Sequence, residues 1–219
     1  MDEGEDVSSG AGAPRPDDSP ESAVSRPHPS PSPSDVPSAE RILQAAAHVL
    51  AQQGATGLSM ADVAKEAGVS KGLIHYHYRD KDALLARLAR WLADEIEGRE
   101  RRALVGVPPG QAIDALWAWL DDELECGDIR ALIELSRLRE GDAPVAARVA
   151  SQRRRAVSAT TITTLFDCLG LRARVPAPML AEVFVAFVDG LAVDATPAPM
   201  PGHRVAYDVF WLAMLSLAE

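Results

Sequence analysis

Between Lys71 and Asp82 the chain reads KGLIHYHYRDKD, with two histidines and two tyrosines alternating at positions 75–78. Such side chains could ligate a metal, relay a proton, or donate hydrogen bonds to phosphate oxygens and base edges. A metal site needs ligands that converge on one point. On a helix, His75 and His77 point in different directions, and no cysteine or carboxylate stands by as a third ligand. A solvated surface pair is the plain alternative. The choice between them depends on the elements that carry the cluster.

Those elements read as short helices. Ile42, Ala46, Val49 and Leu50 share one helical face after Ser38, an N-cap that follows Pro37, and this first helix stops near Gly54. Ser59 caps a second helix over about 59–66, with Asp62 in a capping-box-like position. Gly68 suits a tight left-handed turn, Ser70 caps a third helix through about Tyr78, and Asp80 caps a fourth that runs past 100. Two short helices joined by 67-AGVS-70 after a longer one match the helix-turn-helix plan, whose second member enters the major groove of DNA. On that member Ile74 and Tyr78 point to the core. Lys71, Leu73, His75, Tyr76 and His77 are left outward, as donors and flat rings suited to phosphates and base edges. The exposed N–H groups near Ser59 and Ser70 are further anion sites.

The charge of -10 over 219 residues speaks against a nucleic-acid partner until it is divided. Residues 1–37 hold eight acids and two bases, and residues 91–219 hold 19 acids and 13 bases. Residues 38–90 hold seven bases and five acids, and this positive segment contains the opening cluster.

Residues 41–85 resemble the N-terminal domain of the tetracycline-repressor (TetR) family of transcriptional regulators. The likeness rests on the Ile42–Ala46 helix, Gly54, the Ser59 cap, 63-VA-64, 67-AGVSKG-72, the aromatic cluster, and Lys81 with Leu84. It implies a homodimer on a roughly palindromic double-stranded DNA operator, with a small-molecule pocket in each C-terminal domain. It also implies that Ser59, His75 and Lys81 hold phosphates, while Lys71, Gly72, Leu73, Tyr76 and His77 lie closest to bases. Two positions depart from the family pattern. His75 stands where tyrosine is usual, and it adds sensitivity to pH. Leu73 replaces a small hydroxyl residue; it could touch a thymine methyl but donates nothing.

The expected fold is all-α: an acidic, Pro/Ser-rich disordered tail over 1–37, a three-helix DNA-binding domain over 38–85, and a helical ligand-binding and dimerisation bundle over 86–219. Helices are expected at about 111–126, 129–140, 144–169, 178–194 and 203–217. The last two are apolar nearly all round, which predicts that a second subunit covers one face. The expected effector pocket is lined by Trp117, Leu120, Leu138, Thr164, Phe184 and Phe187 with Arg137 as polar anchor, and suits a largely apolar molecule.

Several features carry lesser expectations. The run 153-RRR-155 reads as a solvated face paired with carboxylates. Cys126 and Cys168 read as small buried residues rather than a disulfide, metal or redox pair. No cofactor or metal is expected. No apolar run approaches the roughly 20 residues needed to span a bilayer, and no signal peptide is evident, so the expected place is the cytoplasm. The leading function is a one-component repressor released by its effector. An activator or a ligand-independent DNA binder is the nearer alternative, and a small helical ligand-binding protein or enzyme the more distant one. Against an enzyme, no nucleophile–base pair or carboxylate pair falls on one face.

Overall fold

Ile42, Ala46, Val49 and Leu50, the four residues that predict the first helix, are all buried in the computed structural model. The structure describes residues 37–195 and 201–219. The tail expected over 1–37 lies outside the described residues apart from Pro37, as do residues 196–200.

The described residues form α1 (Ser38–Gly57), α2 (Met60–Glu66), α3 (Lys71–His77), α4 (Lys81–Arg102), α5 (Ala112–Cys126), α6 (Asp128–Ser136), α7 (Asp142–Cys168), α8 (Ala177–Asp194) and α9 (Pro201–Leu215), with a 3-10 turn at Pro109–Gln111. The fold is all-α. Among the described residues the one extended pairing is an isolated antiparallel bridge between Ala173 and Ala218.

Two local expectations change. Ser38 does not cap α1, because Pro37 occupies the N-cap position and the Ser38 hydroxyl turns to His77 instead. Gly54 does interrupt α1, at φ 71 and ψ 168, but helical backbone resumes through Gly57.

Leu84, Leu85, Leu88, Leu92 and Ile96 form one buried stripe along α4. Each apolar side chain withdrawn from water in this way contributes about 1.5–3 kcal/mol. α4 packs most extensively on α7, and α7 in turn on α8. The start of α4 lies beside α1 while its length crosses the C-terminal bundle. One element therefore joins the helix-turn-helix to the body.

Candidate nucleic-acid interface and buried polar centre

The turn between α2 and α3 closes on itself. Val69 N–H donates to Ala64 C=O at 3.0 Å and Gly68 N–H to Lys65 C=O at 3.2 Å, a Schellman ending with Gly68 at φ 63. Ser70 then caps α3, accepting from the Leu73 amide at 3.2 Å. Ile74 is fully buried and Tyr78 nearly so, and the Tyr78 hydroxyl donates to Ala39 C=O at 3.3 Å. These contacts seat α3 on α1 and fix which side of it faces solvent.

Lys71, Gly72, His75 and Tyr76 are exposed, Tyr76 to 83%. Leu73 is half-buried, so only part of it faces outward. His77 is also half-buried, and its Nε2 lies 2.9 Å from Ser38 Oγ. Lys81, half-buried in the first turn of α4, donates through Nζ to Thr56 C=O at 3.2 Å. Ser59 Oγ accepts from Asp62 N–H at 3.1 Å and donates to Asp62 Oδ2 at 2.5 Å. Of the nine residues singled out in the sequence, Ser70, Lys71, Gly72, His75 and Tyr76 share the open face of α3. Leu73 and His77 border it, and Ser59 and Lys81 stand at the neighbouring helix starts.

The structure does not gather the seven predicted effector-pocket residues around one cavity. Arg137 and Thr164 are exposed, and Leu138 sits at a crevice with Thr56 and Lys81. Leu120 and Phe184 are core residues, with Phe184 stacked on Trp119 at 6.3 Å between ring centroids. Trp117 packs edge-on against Tyr207 under the Arg204 guanidinium. Phe187 stacks on Phe210 at 4.3 Å and borders an open groove on α8 and α9. Aromatic type alone did not reveal which face of each helix turned inward.

What the body does enclose is charge. Glu97, Glu100, Glu123 and Arg154 are all at most 2% exposed, with Ser158 and Thr161 buried among them. The expectation of a solvated 153-RRR-155 is therefore corrected at its centre. Arg154 is buried and bonds Asp189 of α8 at 2.9 Å, while Arg153 pairs with Asp94 and Glu97 and Arg155 with Glu182. Successive helical residues point about 100° apart, so three arginines in a row cannot share one solvated face. The signal was present in the sequence: Ala147, Ala150, Arg154, Val157 and Thr161 keep one helical stripe, as do Ala89, Ala93, Ile96 and Glu100.

Burial pushes the Glu100 carboxyl above the usual glutamate range, while Ser158, Arg154 and Thr161 pull it back down. Glu97 Oε1, Glu100 Oε1, Arg154 Nε and Trp119 Nε1 have no hydrogen-bond partner among the described residues. Buried polar atoms left in this state cost about 1–3 kcal/mol each.

A second acidic group, Glu123, Cys126 and Asp128, brings its ligand atoms within 4.8 Å of one another. Arg99 already fills it, reaching Glu123 at 2.5 and 3.0 Å and Asp128 at 2.7 Å. Neither cysteine is buried as expected: Cys126 is exposed and Cys168 partly so. Cys126 nevertheless turns its Sγ in toward Glu123, 3.5 Å from the carbonyl. Loss of water around the sulfur, with Asp128 and Glu123 beside it, pushes its thiol up to about 12.

α8 and α9 expose Met179, Val183, Val205, Val209 and Leu212, each at 55–71%. Val205 and Val209 also line the groove that Phe187 and Phe210 border. No helix among the described residues is long and apolar enough to cross a membrane.

A helix-turn-helix seated on an all-helical body is a two-part, all-α architecture. Residues 42–88 match the model of the tetR family of bacterial regulatory proteins. The chain is 36% identical over 69 residues to the HTH-type transcriptional regulator CymR of Pseudomonas putida, a match covering 32% of this chain and 34% of CymR. The matched part is thus about a third of that relative's length. A transcriptional regulator from Rhodococcus sp. Rha1 is similar in structure, with 27% identity, TM-score 0.65, and coverage of 83% of this chain and 98% of its own. AibR, solved with isovaleryl coenzyme A and operator DNA, shares the fold at 16% identity and TM-score 0.60, over 80% of this chain and 97% of its own.

Proposed function

We propose that the chain is a one-component transcriptional repressor that binds a roughly palindromic operator as a homodimer and leaves it when a small effector enters the body. The observation that carries this reading is the open face of α3, with Lys71, His75 and Tyr76 exposed in a positive segment of an otherwise acidic chain. Lys71, Gly72, Leu73 and Tyr76 would read bases. Ser59, Ser70, His75 and Lys81 would hold phosphates, Lys81 by exchanging its Thr56 carbonyl for a phosphate oxygen. His77 has a supporting role through Ser38 as well as any base contact.

The functional boundary is proposed at 85/86, inside α4, with 38–85 binding DNA and 86–219 serving regulation and dimerisation. The apolar faces of α8 and α9 would meet their copies across a two-fold axis and hold two recognition helices about 34–36 Å apart, or a multiple of that distance. The effector is proposed to be a largely apolar molecule with one polar group, received by the helical body. A regulator that acts directly on genomic DNA works in the cytoplasm.

A gel shift with DNA from the protein's own upstream region, at two salt concentrations, tests the reading. Specific binding that weakens steeply with salt supports it, and no shift with any genomic fragment overturns it. A thermal-shift ligand screen, followed by release from DNA, separates an effector-controlled repressor from a constitutive binder.

A further inference from the structure

Two carboxylates cross between the helix-turn-helix region and the body, and each stands where a glycine lacks a Cβ. Glu134, in the last turn of α6, accepts a 2.5 Å hydrogen bond from the Ala55 amide of α1. A Cβ on the preceding Gly54 would stand 2.9 Å from Glu134 Oε1. Asp82, in the first turn of α4, reaches the other way. Its carboxylate accepts from the amides of Asp142 and Ala143 at 2.8 and 3.2 Å. α7 has no side-chain cap of its own, since Gly141 at φ 95 fills the N-cap position, and a Cβ there would overlap Asp82.

Each carboxylate therefore supplies a remote cap to helical backbone on the opposite side of the junction. Both contacts flank one crevice, lined among others by Thr56, Lys81, Leu138 and Arg139. Asp82 and Lys81 are consecutive. One holds the start of α7, and its neighbour donates to the end of α1 and is the phosphate contact proposed above. Charge-assisted hydrogen bonds are directional and roughly twice as strong as neutral ones. A displacement of α6 or α7 must then either carry the N-terminal helices with it or break these bonds.

We infer that Glu134 and Asp82 are positioning residues of a two-point joint through which the state of the body sets the orientation of α3 toward DNA. This rests on the DNA-binding reading above. Coupling of this kind is reciprocal, so DNA on α3 must be felt at the start of α7.

Amide hydrogen exchange on the full chain, with and without a DNA fragment that it shifts, tests the joint. In the wild type, DNA slows exchange at Asp142 and Ala143 by about tenfold, equivalent to one decade in the opening equilibrium. Glu134→Ala and Asp82→Ala still bind DNA with an unchanged salt slope but lose that distant response. Glu134→Gln, whose amide oxygen still accepts from Ala55, retains it. A purely structural role for either residue would lower stability without removing the response selectively. Equal responses in the wild type and both alanine variants, or none in the wild type, overturn the inference. If no DNA fragment shifts, it is the DNA-binding reading that fails, and the DNA-free arm then judges the joint. There Glu134→Ala must speed exchange at Asp142 and Ala143 as well as at Ala55, and an increase confined to Ala55 overturns it.

Discussion

His77 Nε2 of α3 lies 2.9 Å from Ser38 Oγ at the start of α1. Together with the Tyr78 hydroxyl on Ala39 C=O, it ties the end of the recognition helix to the first turn of the domain. The four-residue HYHY cluster is thereby split by function. His75 and Tyr76 face out, while His77 and Tyr78 hold the helix in place.

Exposed and anchoring members of the DNA-binding face should fail differently. Tyr76→Ala removes a side chain 83% exposed, so the melting temperature stays the same while operator affinity falls. Lys81→Ala should weaken binding about equally across sequences and lower the salt slope by about 1. Fluorescence anisotropy across a salt series reads both. A Lys81→Ala slope identical to the wild type would remove Lys81 from the phosphate contacts.

The apolar face of α8 and α9 predicts that Leu212→Glu separates the proposed dimer. Leu212 is 71% exposed, so a charge there costs the isolated chain little but is expensive in an apolar interface. Sedimentation velocity at micromolar concentration should show a dimer for the wild type and a monomer of unchanged helicity for the variant. A monomeric wild type would end the dimer proposal.

Breaking the Arg154–Asp189 pair removes a buried guanidinium and leaves a carboxylate behind. Arg154→Ala should lose about 3 kcal/mol, toward the lower end for a broken buried pair because Asp189 keeps 30% of its side chain in water. Arg154→Met should recover part of the loss by filling the space with apolar atoms. Urea unfolding of the three proteins measures the difference.

Glu100 should make stability fall as pH rises. Its folded pKa is raised by burial, so its contribution is fully present below the unfolded pKa and is lost as pH climbs through the folded value. Glu100→Gln keeps the shape without the charge. Melting temperatures of wild type and variant should be close at about pH 4, near the ordinary glutamate value, and diverge in the variant's favour toward neutrality. A wild type that gains on the variant as pH rises would reverse the sign and sink the idea.

Cys126 should resist alkylation. With its thiol pushed up to about 12 from an ordinary 9.0, the thiolate fraction at neutral pH is about a thousandfold smaller. Mass spectrometry after maleimide treatment at pH 7 should find this exposed residue largely unmodified. Rapid labelling would show that Sγ leaves the Glu123 carbonyl.

The helices among the described residues, most of their boundaries and the helix-turn-helix were legible in the sequence because each is a local property, although α1 runs on past Gly54 to Gly57 and α6 ends at Ser136 rather than near 140. Apolar spacing, a capping serine and Gly68 act within a few residues of one another, and their outcome does not depend on distant packing. The split of the chain's charge was equally plain, because it needs only counting. The role of a side chain facing another helix was not. Ser38 looked like a cap until His77 arrived from 39 residues away, and Arg154 looked solvated until α8 brought Asp189. The stripe that carries Arg154 was visible, but an arginine on an apolar stripe has two outcomes, and only a partner on the next helix selects burial. The two amide–carboxylate contacts joining α1 to α6 and α7 to α4, Ala55 to Glu134 and Asp142 to Asp82, bring together residues 79 and 60 positions apart. Such pairings are chosen by the packing angles of whole helices, and those exist only once the tertiary structure has formed.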